Sequence, residues 1–127
     1  MYYLLTKDRQ VVECPGLIEW GMQFDSTSNQ VARTVLGNTV VSTVFLGLDH
    51  RGRYGEGAPV LFETMIFDKG QPRDYQERYC SFAQAHSGHA RAVYHVGELR
   101  RKAALSSTSR NAREGRYLVR RATVAYA

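Results

Sequence analysis

The chain has 127 residues and a mass of 14.4 kDa, a length that favours one domain able to bury its own core. Apolar residues make up 43% and charged residues 23%, which excludes a wholly disordered or fibrous chain. The formal net charge of +5 is concentrated at one end, because residues 1–96 carry a net charge of −1 and residues 97–127 a net charge of +6. We therefore expect a near-neutral body at 1–97 and a basic extension at 98–127 that packs on it or adds to it.

The apolar runs, the first residues and the number of cysteines exclude several classes of protein. No run of about 18 apolar residues is present, so we expect no membrane-spanning helix and no membrane partner. The first residues lack a basic start followed by a long apolar stretch, so we expect no signal peptide and a cytoplasmic location. The two cysteines, Cys14 and Cys80, are too few for a disulfide framework or a cysteine zinc site, and we expect free thiols.

The first quarter of the chain predicts a hairpin followed by a short helix. Tyr2–Leu5 and residues 10–14 are β-prone runs on either side of a polar turn. From residue 17 to 24 the apolar positions fit both strand alternation and helical spacing. Pro15 just upstream favours a helix start, whereas Gly21 inside the run costs about 1 kcal/mol. We interpret the run as a short helix.

Three later runs predict strands of one antiparallel sheet. Residues 31–36 and 39–48 are β-prone and flank the two-residue turn Gly37-Asn38, which is typical of a hairpin. Residues 58–67 predict the next strand, adjacent to 39–48. Both faces of 39–48 are apolar or small, so we expect a central strand that is covered on both sides. Residues 68–74 are expected to form a turn.

The main helix is expected over residues 82–96. Ser81 followed three residues later by Gln84 forms a capping box. One apolar stripe is predicted along the helix, at Phe82, His86, His89, Val93 and Val96. Gly97 either ends the helix or lies within it.

The basic end is expected to contribute further elements. A second helix is predicted after Gly97, a break at the serine- and threonine-rich residues 106–109, and an edge strand within 117–126. The predicted fold class is therefore α+β, an antiparallel sheet with one main packed helix and a basic helix or strand extension.

A set of short blocks stands in order between residues 17 and 95. They are Glu19-Trp20, VART at 31–34, VSTVFLGLDH at 41–50, PVLFETMIF at 59–67, ERY at 77–79 and Gly88-His89. This set resembles a family of small, uncharacterised bacteriophage and prophage proteins. The resemblance implies a phage product acting in the cytoplasm of a host cell, and it implies no reaction. The residues from 98 onward depart from the pattern.

One group of side chains has the chemistry for a catalytic or metal site. It consists of Asp49, His50, Glu63, His86 and His89. Two histidines spaced i, i+3 project from one helix face, and with a carboxylate they are plausible ligands for zinc, iron or manganese. The same groups suit general acid and base catalysis.

A structural role for these residues is the competing interpretation. In that case His89 is a core histidine bonded to the Asp49-His50 turn, and Glu63 pairs with Arg78 or Arg33.

Two cationic segments are candidate contacts for a partner. The glycine-rich loop at 52–57 is followed by a predicted strand and not by a helix, so it lacks the geometry of a phosphate-binding loop. Its partner-binding candidates are Arg51, Arg53 and Tyr54. Those of the basic end are Arg100, Arg101, Lys102, Arg113, Arg116, Arg120 and Arg121. Arginine suits phosphates and carboxylates, so this end is either a solvated surface or a contact for nucleic acid or an acidic protein.

Three functions remain open from the sequence. The leading hypothesis is a small phage-encoded accessory protein that binds a host macromolecule, such as a defence or regulatory protein, without a cofactor. The second is a small metal-dependent or acid/base enzyme that uses the Asp, His and Glu group, in which case a divalent metal is implied. The third is an accessory protein that binds nucleic acid through the basic end.

Overall fold

The predicted antiparallel sheet and packed helix are both present in the computed structural model. It describes residues 1–26, 29–52, 55–110 and 123–126, and the side chains at 25, 26, 108–110 and 123–126 lie outside the description. In chain order the elements are β1 (Tyr2–Leu5), β2 (Val11–Cys14), α1 (Leu17–Ser26), β3 (Gln30–Leu36), β4 (Thr39–Phe45), β5 (Phe62–Asp68), β6 (Gln71–Tyr79), α2 (Phe82–Arg110) and β7 (Thr123–Tyr126). The α+β fold class is confirmed.

The strands form one hairpin and one larger antiparallel sheet. β1 pairs with β2, and the larger sheet has the order β6-β5-β4-β3-β7. β4 pairs with β5 as predicted, and β7 adds to the edge of the sheet beside β3. The turn expected at residues 68–74 is shorter, because Lys69 and Gly70 alone separate β5 from β6. Both have positive φ, of 51° and 79°, the backbone that closes a two-residue hairpin in register with the strand twist.

The two faces of β4 are covered unequally. Val41 and Thr43 are buried on the face that packs against α2, whereas Val40, Ser42 and Val44 on the other face are half-buried. β4 is the central strand of the sheet as predicted, but its second face is covered only in part. Small and apolar residues on both faces of a strand do not distinguish full cover from partial cover.

The start of α2 follows from the predicted capping box. The Ser81 hydroxyl accepts a hydrogen bond from the Gln84 amide at 3.1 Å. The Gln84 side-chain oxygen in turn accepts bonds from the amides of Cys80 and Ser81, at 3.0 and 3.2 Å. These reciprocal bonds satisfy backbone donors that have no partner within the helix.

The buried face of α2 is rotated from the predicted stripe. His89 and Val96 are buried as predicted, but the other buried positions are Ala85, Gly88 and Ala92, and His86 is exposed. Small residues let the helix lie close to the sheet, which leaves the larger His86 outside.

The basic end does not form a separate second helix at its start. α2 continues without interruption through Gly97 and through the break expected at 106–109 to Arg110. Alanine, leucine, arginine and lysine after Gly97 are strong helix formers and carry the helix onward.

Aromatic side chains attach α1 and the β1–β2 hairpin to the larger sheet. The Trp20 indole donates a hydrogen bond to the Tyr3 carbonyl at 2.8 Å and stacks on Phe24 at 4.8 Å between ring centroids. Phe24 contacts Phe45, which contacts Phe62 at 5.2 Å. One face of α1 is thereby held in the core.

Two further expectations concern the cysteines and the membrane. Cys14 and Cys80 are both free thiols, as predicted. Within the described ranges, no helix combines the length and the apolar character needed to cross a bilayer.

Two glycines of α2 make a matched test of helix packing. A Cβ at Gly88 would overlap the ring and hydroxyl of Tyr79, whereas a Cβ at Gly97 would meet nothing within 4 Å. We expect Gly88→Ala to lower the free energy of unfolding by roughly 1–3 kcal/mol through overpacking. Gly97→Ala should raise it by about 0.5–1 kcal/mol, because alanine restricts the unfolded chain. Urea unfolding measures both, and equal effects would contradict this packing.

Candidate functional site

The five candidate residues for a metal or acid/base site lie apart from one another. His89 is buried between α2 and the sheet, His86 is exposed, and Asp49 and His50 lie in the loop after β4. Glu63 lies on the sheet face that points away from α2. Among the described residues, no three or more His, Cys, Asp or Glu side chains are placed to hold a metal ion. The described residues therefore do not bring this group together at one site.

Strand alternation explains why Glu63 and His89 do not meet. Successive side chains of a strand point to opposite faces, and Thr64 is the residue of this pair that faces α2. The Glu63 carboxylate instead accepts hydrogen bonds from the Arg78 guanidinium at 2.9 Å and the Gln76 amide at 2.8 Å. The structural interpretation that paired Glu63 with Arg78 is confirmed.

Asp49 organises the loop between β4 and β5. Its carboxylate accepts hydrogen bonds from the backbone amides of Arg51 and Val60 at 3.0 and 2.9 Å, and from the Arg51 guanidinium. Burial works to raise the pKa of Asp49, but these hydrogen bonds and the Arg51 charge outweigh it, so the pKa lies below its usual value. Arg51 also donates to the Gly57 carbonyl, and the His50 ring bonds the Leu48 carbonyl at 2.7 Å. These contacts give both predicted loop residues a structural part.

His89 is bonded to two threonines of the sheet and not to the Asp49-His50 turn. Its Nε2 lies 2.8 Å from the hydroxyl of Thr34 on β3, and its Nδ1 lies 2.8 Å from the hydroxyl of Thr43 on β4. The side chain has no exposed surface. A neutral imidazole has one N–H and one acceptor nitrogen, so one threonine accepts a hydrogen bond and the other donates one.

The hydrogen bonds continue across the sheet from His89. Thr43 is 2.6 Å from the hydroxyl of Thr64, its partner on β5, and Thr64 accepts a hydrogen bond from the Tyr79 hydroxyl at 3.0 Å. We call Thr34, Thr43, Thr64, Tyr79 and His89 the buried polar row. Burial and the nearby Glu77 charge raise the pKa of Tyr79 to about 12, so its hydroxyl keeps its proton.

The buried polar row keeps His89 uncharged at neutral pH. Removal from water, aided by the charge of His86, lowers the pKa of His89 from 6.5 to about 4. Both ring nitrogens are occupied, and the ring has no access to solvent. The histidine therefore joins α2 to the sheet and has no surface on which to meet a substrate.

Sequence reasoning missed the threonines of this row because they are ordinary strand residues. Each nevertheless falls in one of the short ordered blocks between residues 17 and 95. VART contains Thr34, VSTVF contains Thr43 and FETMIF contains Thr64, while ERY and Gly88-His89 supply the rest. These blocks meet in the row, which gives them a common physical purpose in this chain.

α1 exposes three large apolar side chains, two of which, Ile18 and Met22, lie on its outer face. Leu17, Ile18 and Met22 are 58%, 75% and 73% exposed. The inner face of the same helix is held by Trp20 and Phe24. The apolar positions of residues 17–24 fit both strand and helical spacing, so in a helix they occupy both faces. This pattern is the signal in the sequence that indicates an exposed apolar surface.

The predicted cationic contacts have been placed in part. Arg53, Tyr54, Arg113, Arg116, Arg120 and Arg121 lie outside the described residues. Arg101 pairs with Glu98 at 3.0 Å. A Cβ at Gly37 would lie 2.6 to 3.0 Å from the guanidinium atoms of Arg100, so Arg100 lies over the β3–β4 turn. Lys102 is exposed on α2.

The low pKa of His89 predicts a loss of stability in mild acid. Because the unfolded histidine binds a proton below about pH 6.5 and the folded one does not, the free energy of unfolding should fall as the pH drops from 6.5 towards 4. The expected total from this group is about 3 kcal/mol. Urea unfolding at intervals across this range measures it.

Two variants identify the group responsible. His89→Gln should remove the decline between pH 6.5 and 4.5, whereas His50→Gln, at an exposed residue outside the buried polar row, should keep it. A carbon-13 NMR titration in which the His89 ring becomes protonated above pH 6 would show that the row does not hold it neutral.

Comparison with protein-family models, with curated proteins and with solved structures finds no match to this chain. A function can therefore be inferred only from the surfaces and contacts of the chain itself.

Proposed function

We propose that the protein acts by binding another protein on the outer face of α1. The observation that supports this most directly is the exposure of Leu17, Ile18 and Met22 on one short helix. Burying one aliphatic side chain of this size is worth about 1.5–3 kcal/mol, so leaving three in water forgoes stability that a partner recovers. Contiguous exposed apolar surface of this kind marks interaction sites.

The geometry of α1 favours a helix as the docking element. Ile18 and Met22 are spaced i, i+4 and lie on one face. Gly21 lies beside them, and a Cβ there would meet nothing within 4 Å. The open space at Gly21, to one side of these two side chains, allows the backbone of an apolar helix to come close. The proposed occupant is an apolar helix of a partner protein.

Protein binding is favoured over the two alternative functions. The proposed enzyme needs the Asp, His and Glu group to converge, and those residues lie apart. Nucleic-acid binding needs an array of displayed cations. In the described part of the basic end, Arg101 is paired with Glu98 and Arg100 is held over the β3–β4 turn. Apolar exposure on α1 is the stronger feature.

The resemblance to phage proteins bears on the source of the partner. If this chain is a phage product, the partner is a protein of the host cytoplasm, and the chain is an accessory protein that inhibits or redirects a defence or regulatory factor. Such an activity requires no chemistry of its own.

Substitutions on α1 test the proposal. The wild-type protein, the double variant Ile18→Lys/Met22→Lys and the control Leu105→Lys are immobilised and exposed to host-cell lysate. Leu105 is a suitable control because it is a half-exposed apolar residue on α2, away from α1. We expect one protein to be retained in stoichiometric amount by the wild type and the control and to be lost by the double variant. With the purified partner, the Kd of the double variant should rise at least about a hundredfold.

Other outcomes would reject the proposal. Equal retention by all three proteins, or retention that disappears after nuclease treatment, contradicts docking on α1. Sedimentation of the purified protein adds a further check, since a dimer that dissociates when Ile18 is changed would show that α1 binds a second copy of this chain.

A further inference from the structure

A cleft lies between the later turns of α2 and the strands β5 and β6. Its volume is about 290 Å³, just below the range of about 300–1,000 Å³ for sites that bind drug-sized molecules. Ile66, Val96, Leu99 and Ala103 supply an apolar part of the wall. Neither α1 nor the buried polar row contributes to this cleft, so it is independent of the proposed docking surface.

Arg100 supplies a cation to the wall of the cleft. The side chain is half-buried and makes no hydrogen bond or ion pair with any described residue. The guanidinium lies close to Gly37, where a Cβ would come within 2.6 to 3.0 Å of its atoms. A partly desolvated guanidinium that lacks an anionic partner attracts one.

The other charged lining residues do not neutralise Arg100. Arg73 pairs with Asp68 at 2.9 Å, and Asp74 is the one carboxylate residue among those that line the cleft. Arg73 is thus balanced by Asp68, and Arg100, which has no ion-pair partner among the described residues, is the lining cation that can bind an anion.

Two stacked rings form an aromatic part of the wall of the cleft. Tyr75 and His95 lie at 5.9 Å between centroids with planes 25° apart, and both line the cleft. His95 is exposed, so its ring offers flat surface for a further aromatic group. Leu99, exposed by about half, adds apolar contact beside it.

We propose that this cleft binds a small aromatic anion, with its phosphate or carboxylate on Arg100 and its ring against His95 and Leu99. Arginine matches both anionic groups, and the rings and aliphatic wall match the organic part. The size of the cleft fits one ring and one anionic group. The site does not depend on the proposed function of α1.

NMR titration of the nitrogen-15-labelled protein tests the site with defined probes. Phenyl phosphate and phenylacetate carry the two anionic groups on one ring, and inorganic phosphate carries no ring. We expect at least one aromatic probe to shift the amide signals of Tyr75, His95 and Arg100 and to bind at least about tenfold more tightly than inorganic phosphate. The tighter of the two aromatic probes identifies the anionic group.

Three variants assign the contacts. Arg100→Gln should weaken the aromatic probe at least about tenfold, whereas Lys102→Gln, on the same helix but outside the cleft, should not change its affinity. His95→Ala should reduce the preference for the aromatic probe over phosphate. The circular dichroism spectrum and Tm of each variant establish that it is folded.

Several results would overturn the proposal. They are the absence of shifts at these residues up to millimolar probe, affinity for inorganic phosphate equal to that for the aromatic probes, and equal affinity of Arg100→Gln and Lys102→Gln. Loss of partner binding by the α1 variants leaves these measurements unchanged, so the two proposals fail separately.

Discussion

The buried imidazole of His89 is the constraint that fixes how the helix and the sheet fit together. A polar ring with no exposed surface is tolerated only when both of its nitrogens are bonded. Thr34 and Thr43, from two neighbouring strands, meet this requirement at one position of α2 only. A rotation or a one-residue slide of the helix would break the bonds of both ring nitrogens and that of the Thr34 hydroxyl, while Thr43 would keep its bond to Thr64. Apolar contacts such as those of Ala92 and Val96 tolerate small shifts, so the polar contacts specify the register.

That register determines which surfaces are available for function. With His89 and Gly88 turned inward, Tyr79 lies against the helix, and Arg100 comes to the β3–β4 turn three turns later. The same helix therefore closes the core at its start and forms the wall of the cleft at its end. His89, a candidate for catalysis or metal binding in the sequence, is buried and fully hydrogen-bonded, so it cannot contact a ligand. The groups that remain exposed are suited to binding.

Local sequence rules predicted the elements well because their causes are local. The turn at Gly37-Asn38 and the cap formed by Ser81 and Gln84 involve residues within a few positions of one another, and both are present. The partners of His89 are 46 and 55 residues away, and nothing in the threonine side chain marks it as the partner of a histidine. Strand alternation separates Glu63 from Thr64 but does not say which of them faces a helix. Whether Glu63 could reach the histidines of α2 was therefore not decided by the sequence, and the structure places it on the other face of β5.

The net charge of the basic end does not by itself predict what this end binds, because the placement of each arginine matters more than the total. Arg101 is balanced by Glu98, and Arg100 lies over Gly37 in the β3–β4 turn. A charge that the fold positions in a cleft is specific for one small anion, whereas a displayed array of charges is attracted to any polyanion. Leu17, Ile18 and Met22 are likewise not needed to hold α1 in place, since Trp20 and Phe24 already attach it to the core. Apolar surface that the fold does not need is the feature on which selection for a partner acts.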